Sequence, residues 1–290
     1  MYAASFEYHT PTTVAEALGL LEKLGEDAKV LGGSQSLVPL MKLRLAQPKH
    51  LVDLRKVTAL SGVNEKDGAV VIGAMTTHYE VGASPVVKSK LPMMAEAAGQ
   101  IGDAQVRNLG TIGGSLAHAD PAADWPAVLL ALDASVRIAS SHGDRNAKIG
   151  ELITGPLTTT VERGEILVQI RVPLPTGRYG GAYEKLPHPA SRFAIVGVAA
   201  EVFLDAGGKV SSSRIALTGL APKVTRAGHV EQALAGKNPD AAAIKAAASK
   251  AAQGIELRAD LTGSADYKAN LAAVYTERAV KRAVARALEK

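Results

Sequence analysis

Along residues 13–24, TVAEALGLLEKL, apolar side chains return at Val14, Ala17, Leu18, Leu21 and Leu24, the spacing of one helical face. Thr13 and Glu16 form a capping-box pattern at its start, and Gly25 offers a stop. AKVL (28–31) then reads as a short buried strand that runs straight into GGSQS (32–36). HLVDL (50–54) and AVVIGAMTT (69–77) read as further strands. Helices are predicted near 91–101 and 125–132, and strands at SVRIAS (135–140) and EILVQIRVPLP (165–175), the last ended by prolines.

Past Pro175 the pattern changes. AYEKL (182–186), FAIVGVAAEVFLD (193–205) and KVSSSRIALTGLA (209–221) read as consecutive strands, with a hairpin signal at Gly207–Gly208. The chain then turns helical. An Ala-rich helix is predicted over 239–252, and Ser264 can cap a final helix in which Leu271, Val274, Tyr275, Val280, Val284 and Leu288 recur. These patterns predict an α+β fold divided near residue 176, into 1–176 and 177–290, the second part with strands first and helices after.

Composition narrows the function. The chain has 290 residues, 47% of them hydrophobic, and no apolar run approaches the ~18 residues of a membrane span. MYAASFEYHTPTT at the N-terminus does not read as a secretory signal. Cysteine is absent, which excludes disulfides, thiolate nucleophiles and iron–sulfur ligation within this chain and fits a reducing, cytoplasmic setting. The net charge is +5, with Lys281, Arg282, Arg286 and Lys290 on the last helix; this reads as a solvated basic face. Aromatic residues make up 4%, too few for base-stacking platforms, so no nucleic-acid partner is expected.

Two glycine-rich segments remain: GGSQS (32–36) and GTIGGS (110–115). In each, main-chain N–H groups could converge on an anion, with Ser34, Ser36, Thr111 and Ser115 adding hydroxyls. Neither a P-loop nor a G-x-G-x-x-G fingerprint is present. Pattern alone leaves both a plain turn and a diphosphate cradle open.

KVLGGSQSLVPLMKLRLAQPKHLVDL (29–54) and QVRNLGTIGGSLAHADPAAD (105–124) resemble the two FAD-binding segments of the flavoprotein (medium) subunits of molybdenum hydroxylases. The resemblance extends through VVIGAMTT (70–77), EILVQIRVP (165–173) and AYEKLPHPASRFAIVGVAA (182–200). It is closest to the aerobic carbon monoxide dehydrogenase type, and xanthine oxidoreductase carries a similar domain. The resemblance implies a two-part FAD-binding domain of the vanillyl-alcohol-oxidase (PCMH) type, with parts at about 1–56 and 57–176. A C-terminal domain with an antiparallel sheet and helices follows.

By the same resemblance FAD lies extended and non-covalently bound, its diphosphate on the glycine segments. The residues placed against it are Lys29, Val30, Leu31, Gly32, Gly33, Ser34, Gln35, Ser36, Leu37, Ala74, Ile101, Gly102, Val106, Gly110, Thr111, Gly114, Ser115, Ala117, Asp124, Leu167 and Lys185. Lys185 would stabilise the reduced flavin. Asp124 would accept from a cofactor hydroxyl or ring N–H; on pattern alone it is instead the cap of the following helix. Phe193 stands where an aromatic tends to flank the flavin. Ser34 replaces a usual glycine and Ser115 a usual Asn, which should alter FAD affinity rather than abolish it.

The function implied is electron transfer. A molybdenum-binding large subunit would oxidise the substrate, and an iron–sulfur small subunit with [2Fe–2S] clusters would pass electrons to this chain's FAD. An external acceptor would then collect them, within a dimer of heterotrimers in the cytoplasm, at the inner membrane face if the complex docks there. The alternatives are a stand-alone flavin oxidase or dehydrogenase, which would need its own base, and a flavin-free scaffold. No catalytic residue is expected. The seven histidines (His9, His50, His78, His118, His142, His188 and His229) show no metal spacing and read as structural or surface groups, with His78 close to the cofactor strand.

Overall fold

The computed structural model describes residues 2–289, so Lys290 of the basic set lies outside the described residues. The chain opens with β1 (Glu7–His9), α1 (Val14–Leu24), β2 (Ala28–Leu31), α2 (Leu37–Lys42) and β3 (His50–Asp53). The three strands form a parallel sheet ordered β1-β3-β2. Thr13 caps α1 by accepting from the Glu16 amide, but the Glu16 carboxylate turns to the amide and hydroxyl of Thr12 instead of closing the box. Gly25 stops α1 at φ +57. Ala17, Leu18 and Leu21 bury against Val52 and Leu54, so the helical face read from the sequence is the core face.

A second sheet is built from β4 (Val63–Lys66) and β5 (Ala69–Gly73). Between them and the rest of that sheet come α3 (His78–Ala83), α4 (Pro85–Lys90), α5 (Pro92–Gln100), α6 (Ala104–Leu109), α7 (Ile112–His118) and α8 (Asp124–Ala131). Then follow β6 (Ser135–Ser140), β7 (Gly143–Lys148), the short α9 (Ile149–Leu152), the pair β8 (Ile153–Gly155) and β9 (Thr158–Thr159), and β10 (Ile166–Pro173). The sheet runs β4-β5-β10-β6-β7, antiparallel throughout. The predicted strand over 69–77 ends at Gly73, because Thr77 is taken as the N-cap of α3, in a complete capping box with Glu80. β7 (GDRNAK) is polar and carries no strand pattern in its sequence; only Ala147 and the half-exposed Arg145 turn inward.

The last part carries β11 (Arg178–Pro187), β12 (Ala194–Leu204), β13 (Val210–Thr218) and β14 (Thr225–Arg226) in one antiparallel sheet, followed by α10 (Gly228–Leu234), α11 (Ala241–Ala248) and α12 (Ala265–Leu288). Asp240 caps α11, so the predicted start at Pro239 falls just outside the helix. Ser264 caps α12 as expected. The near-continuous apolar run of β12 has a structural cause: both faces of the sheet are covered. Ala182, Val198, Ala200, Val202, Ile215 and Leu217 pack under α12, while Tyr183, Ala199 and Ala216 join the core of the preceding sheet and its helices.

The buried stripe of α12 runs through Ala272, Ala279, Ala283 and Ala287 as well as Leu271, Val280 and Val284; Leu288 is exposed. Alanines let the helix approach closely. A Cβ on Gly180 of β11 would fall within 2.9 Å of Arg286 Cβ and nearer still to the helix backbone. The basic face of α12 is not the simply solvated one its sequence suggests, because its arginines are engaged in ion pairs. Arg282 pairs with Glu96 of α5 (2.9 Å) and with Glu184, and Arg286 also pairs with Glu96, so these arginines clamp the C-terminal sheet and helix to α5. Lys281 pairs with Glu277 within α12.

Candidate functional site

The first glycine segment joins β2 to α2. Gly33 (φ +85) and Ser34 (φ +68) both take the left-handed backbone region. That conformation is free for glycine and costs a serine about 1 kcal/mol. Ser34 therefore holds a backbone angle that favours glycine. The amides of Gly33, Ser34, Gln35 and Ser36 donate to no group among the described residues, whereas those of Val38 and Leu40 already close the first turn onto the Ser34 and Ser36 carbonyls. Successive unpaired N–H groups around a left-handed bend form a concavity that suits an anion.

The second segment differs from expectation. It is no open loop: Thr111 caps α7 through the Gly114 amide, and Gly113, Gly114 and Ser115 lie inside the helix. The amide of Ile112 donates to the Thr76 carbonyl, that of Gly113 to Ala74 and that of Ser115 to Thr111. The glycines serve closeness instead. A Cβ on Gly113 would lie 2.6 Å from the Ala74 Cβ, and one on Gly114 2.5 Å from the Gly32 carbonyl. The Thr111 hydroxyl donates to that same carbonyl at 3.2 Å. Gly33 presses on the strip Leu109–Thr111, where a Cβ would stand 3.0 Å from Gly110 Cα and Thr111 N. The two segments thus meet across 79 positions of sequence.

Behind them lies His78. Its amide donates to the Gly110 carbonyl at 2.9 Å, and its Nδ1 accepts from Trp125 Nε1 at 3.0 Å. Burial, and secondarily the charge of Arg107, holds its pKa down to about 4. It is a neutral structural group supporting the second segment. Beside it, Gly102 (φ +48) turns the chain after α5 so tightly that a Cβ would meet Val106 at 2.7 Å. Arg107 Nη1 donates to the carbonyls of Ile101 (3.0 Å) and Gly102 (2.9 Å).

Asp124 is the first residue of α8, not its cap, which is Ala123. Its buried carboxylate accepts from Lys185 Nζ, and Tyr183 Oη also donates to it. Lys185 Nζ also donates to the Gln100 carbonyl at 3.1 Å, one residue before the Ile101–Gly102 turn. Burial pushes the Asp124 carboxyl above its usual range; the Lys185 charge and the hydrogen bonds from Lys185 and Tyr183 pull it back.

The remaining expected residues sort by exposure. Gly32 to Leu37, Ile101, Gly102, Val106, Gly114 and Ser115 are half-buried along this seam, and Lys29 and Ala117 are exposed. Leu31, Ala74, Gly110, Thr111 and Leu167 are buried. Ala74 is the seat of Gly113, and Leu167 lies in the main core with Trp125. Phe193 is exposed. The sequence did not single out His78 with Trp125, Arg107 or Tyr183; His78 and Tyr183 act through partners distant in sequence, whereas Arg107 closes its own local turn.

Residues 4–175 match the family described as the FAD binding domain in molybdopterin dehydrogenase. The chain belongs to that family. Residues 181–283 match the CO dehydrogenase flavoprotein C-terminal domain. The carbon monoxide dehydrogenase medium chain of Hydrogenophaga pseudoflava is 43% identical over 286 residues, covering 99% of each chain. The 6-hydroxypseudooxynicotine dehydrogenase complex subunit alpha of Paenarthrobacter nicotinovorans is 39% identical, covering 99% of this chain and 97% of that one.

Among solved structures, a carbon monoxide dehydrogenase from Hydrogenophaga pseudoflava superposes with TM-score 0.94 at 44% identity, covering 99% of both chains. Quinoline 2-oxidoreductase from Pseudomonas putida 86 superposes with TM-score 0.94 at 33% identity, covering 99% of this chain and all of that one. The fold is the family's FAD-binding domain followed by its antiparallel-sheet C-terminal domain. The FAD this family binds fits the residues present. Four unpaired amides at Gly33–Ser36 can meet a diphosphate, and Gly33 admits no side chain on its inner flank.

Proposed function

We propose that the chain is the FAD-carrying electron-transfer subunit of a molybdenum hydroxylase complex. The observation that carries this reading is the run of unpaired amides from Gly33 to Ser36, locked against Leu109–Thr111. Each hydrogen bond from such an amide to a charged oxygen contributes about 1.5–3 kcal/mol, enough for a few to retain a diphosphate without lysine. Thr111, Gly114 and Ser115 position that cradle, and the Ile101–Gly102–Val106 turn, fixed by Arg107 and Lys185, forms the flavin-side wall. FAD supplies the redox chemistry, exchanging electrons singly or in pairs; the protein supplies position and electrostatics.

The same reading divides the chain near residue 176 and makes it one of three kinds of subunit. An iron–sulfur small subunit delivers electrons, a molybdenum-binding large subunit oxidises the substrate, and an external acceptor collects the electrons. The assembly is a dimer of heterotrimers in the cytoplasm. The relatives' subunit names and the absence of cysteine support this division of labour. Among the described residues, no helix is long and apolar enough to cross a membrane.

The test is reconstitution. The purified chain should take up one FAD, stay oxidised when mixed with aldehydes, N-heterocycles or CO, and become reducible only with its partner subunits. Reduction of the isolated chain by an organic substrate would establish a stand-alone dehydrogenase, and a chain that takes up no FAD would establish a scaffold.

A further inference from the structure

Sequence spacing shows no metal pattern among the histidines, yet the parallel register of β1 and β3 pairs Glu7 with His50 and His9 with Val52. Residues two apart on a strand share a face. Glu7 and His9 of β1 therefore project on the side where His50 projects from β3. Their donor atoms converge: His9 Nε2 lies 3.3 Å from His50 Nδ1, His50 Nδ1 lies 3.2 Å from Glu7 Oε2, and His9 Nε2 lies 3.9 Å from that same oxygen.

We propose that Glu7, His9 and His50 form a binding site for a borderline divalent cation of the zinc class. Three considerations carry this. A tetrahedral zinc ion with bonds of about 2.0–2.1 Å sets its ligand atoms about 3.3 Å apart, which two of the three separations already meet. The third closes with a small swing of Glu7, whose side chain is 73% exposed and free to move. Protons alone also serve the cluster poorly. One ring nitrogen, His50 Nδ1, faces both a carboxylate oxygen and another imidazole nitrogen, and a single N–H cannot donate well to both. A cation accepts all three lone pairs together.

Two imidazoles and one carboxylate are the donor set of open zinc sites, leaving a fourth position for water. The cluster lies on the α1 side of the small sheet, where His9 lines a surface hollow with Glu16, Leu20 and Lys23. It is set apart from the glycine segments. Its effect would be mechanical: the ion ties β1 to β3, the neighbour of β2, from which Gly32–Ser36 springs.

The test is calorimetric titration of the full-length, chelator-treated chain with zinc chloride, repeated with cobalt(II) to read coordination from its visible absorption. The wild type should bind one equivalent, cobalt should show intense tetrahedral bands, and the thermal midpoint should rise with metal. His9→Ala with His50→Ala should weaken binding at least 100-fold. Glu7→Gln, on an exposed side chain that leaves the fold intact, should weaken it about tenfold, with flavin content unchanged. Absence of zinc binding in the wild type, or equal binding by wild type and Glu7→Gln, would overturn the proposal, whether or not the double variant folds.

Discussion

Lys185 Nζ lies 2.8 Å from Asp124 Oδ1 in the seam between β11 and α8, with the lysine side chain wholly closed to solvent. A buried ion pair is costly to break from one side, because the partner charge is left unpaired in a dry site. Lys185→Met should therefore destabilise the protein by about 3 kcal/mol, and Asp124→Asn by less, read from urea unfolding. The lysine's donors go to Asp124 and Gln100, so its proposed part at the flavin is to position the Ile101–Gly102 turn. Lys185→Met should shift FAD affinity with little change in flavin potential; a large change in potential would show direct contact.

Gly33→Ala tests the meeting of the two glycine segments. The new Cβ would collide with the Leu109–Thr111 backbone, and the residue sits at φ +85. Loss of about 1–3 kcal/mol of stability is expected, together with loss of retained FAD on gel filtration. Flavin content equal to wild type would remove Gly33 from the cradle.

Ser34 pays for its left-handed backbone, so Ser34→Gly should be neutral to stabilising by up to about 1 kcal/mol, the relief of strain being partly offset by unfolded-chain entropy. Its amide survives the change, so FAD affinity should hold. Ser34→Val, β-branched at φ +68, should lower both. Thermal midpoints and flavin titration of the two variants read the contrast.

His78 gives stability a pH dependence. An unfolded histidine titrates near 6.5, whereas burial holds this one at about 4, so between those values the folded state binds fewer protons. Its contribution is full above pH 6.5 and is lost as pH falls toward 4, by about 3 kcal/mol in all. His78→Asn keeps an acceptor for Trp125 and removes the titration. The stability difference between wild type and variant should shrink in that window, as measured by denaturant unfolding at stepped pH.

Glu96 receives both Arg282 and Arg286 from α12. These side chains are partly solvated, which limits the loss. Glu96→Gln should cost about 1 kcal/mol and raise the protease susceptibility of the C-terminal helix, assayed by limited proteolysis.

Periodicity made the helices and the apolar strands legible: α1, β6, β12 and the cap of α12 fall where the pattern puts them. The glycine segments were legible as two candidate main-chain cradles, but their close approach to each other and the different use of each were not. GTIGGS looks like GGSQS in composition, yet Thr111 and the carbonyls of Thr76 and Ala74 draw its amides into a helix. That choice depends on β5 arriving from elsewhere in the chain. The arginine clamp of α12 and the His78–Trp125 contact were unreadable for the same reason: each is decided by a partner tens of residues away. The polar β7 hid for another: it is an edge strand in a tight hairpin with β6, and an edge needs no apolar alternation. Small side chains misled in the other direction. The alanines of α12 look bland in sequence but set how deeply the helix sinks onto Gly180.

The half-exposed setting of Gly33–Ser36 bears on how a cofactor would be loaded. Donors that stand open to solvent can be satisfied by water before any nucleotide arrives, so completing the polypeptide's native shape need not wait for a prosthetic group. Loading then becomes an exchange of hydration for phosphate oxygens on a preformed surface.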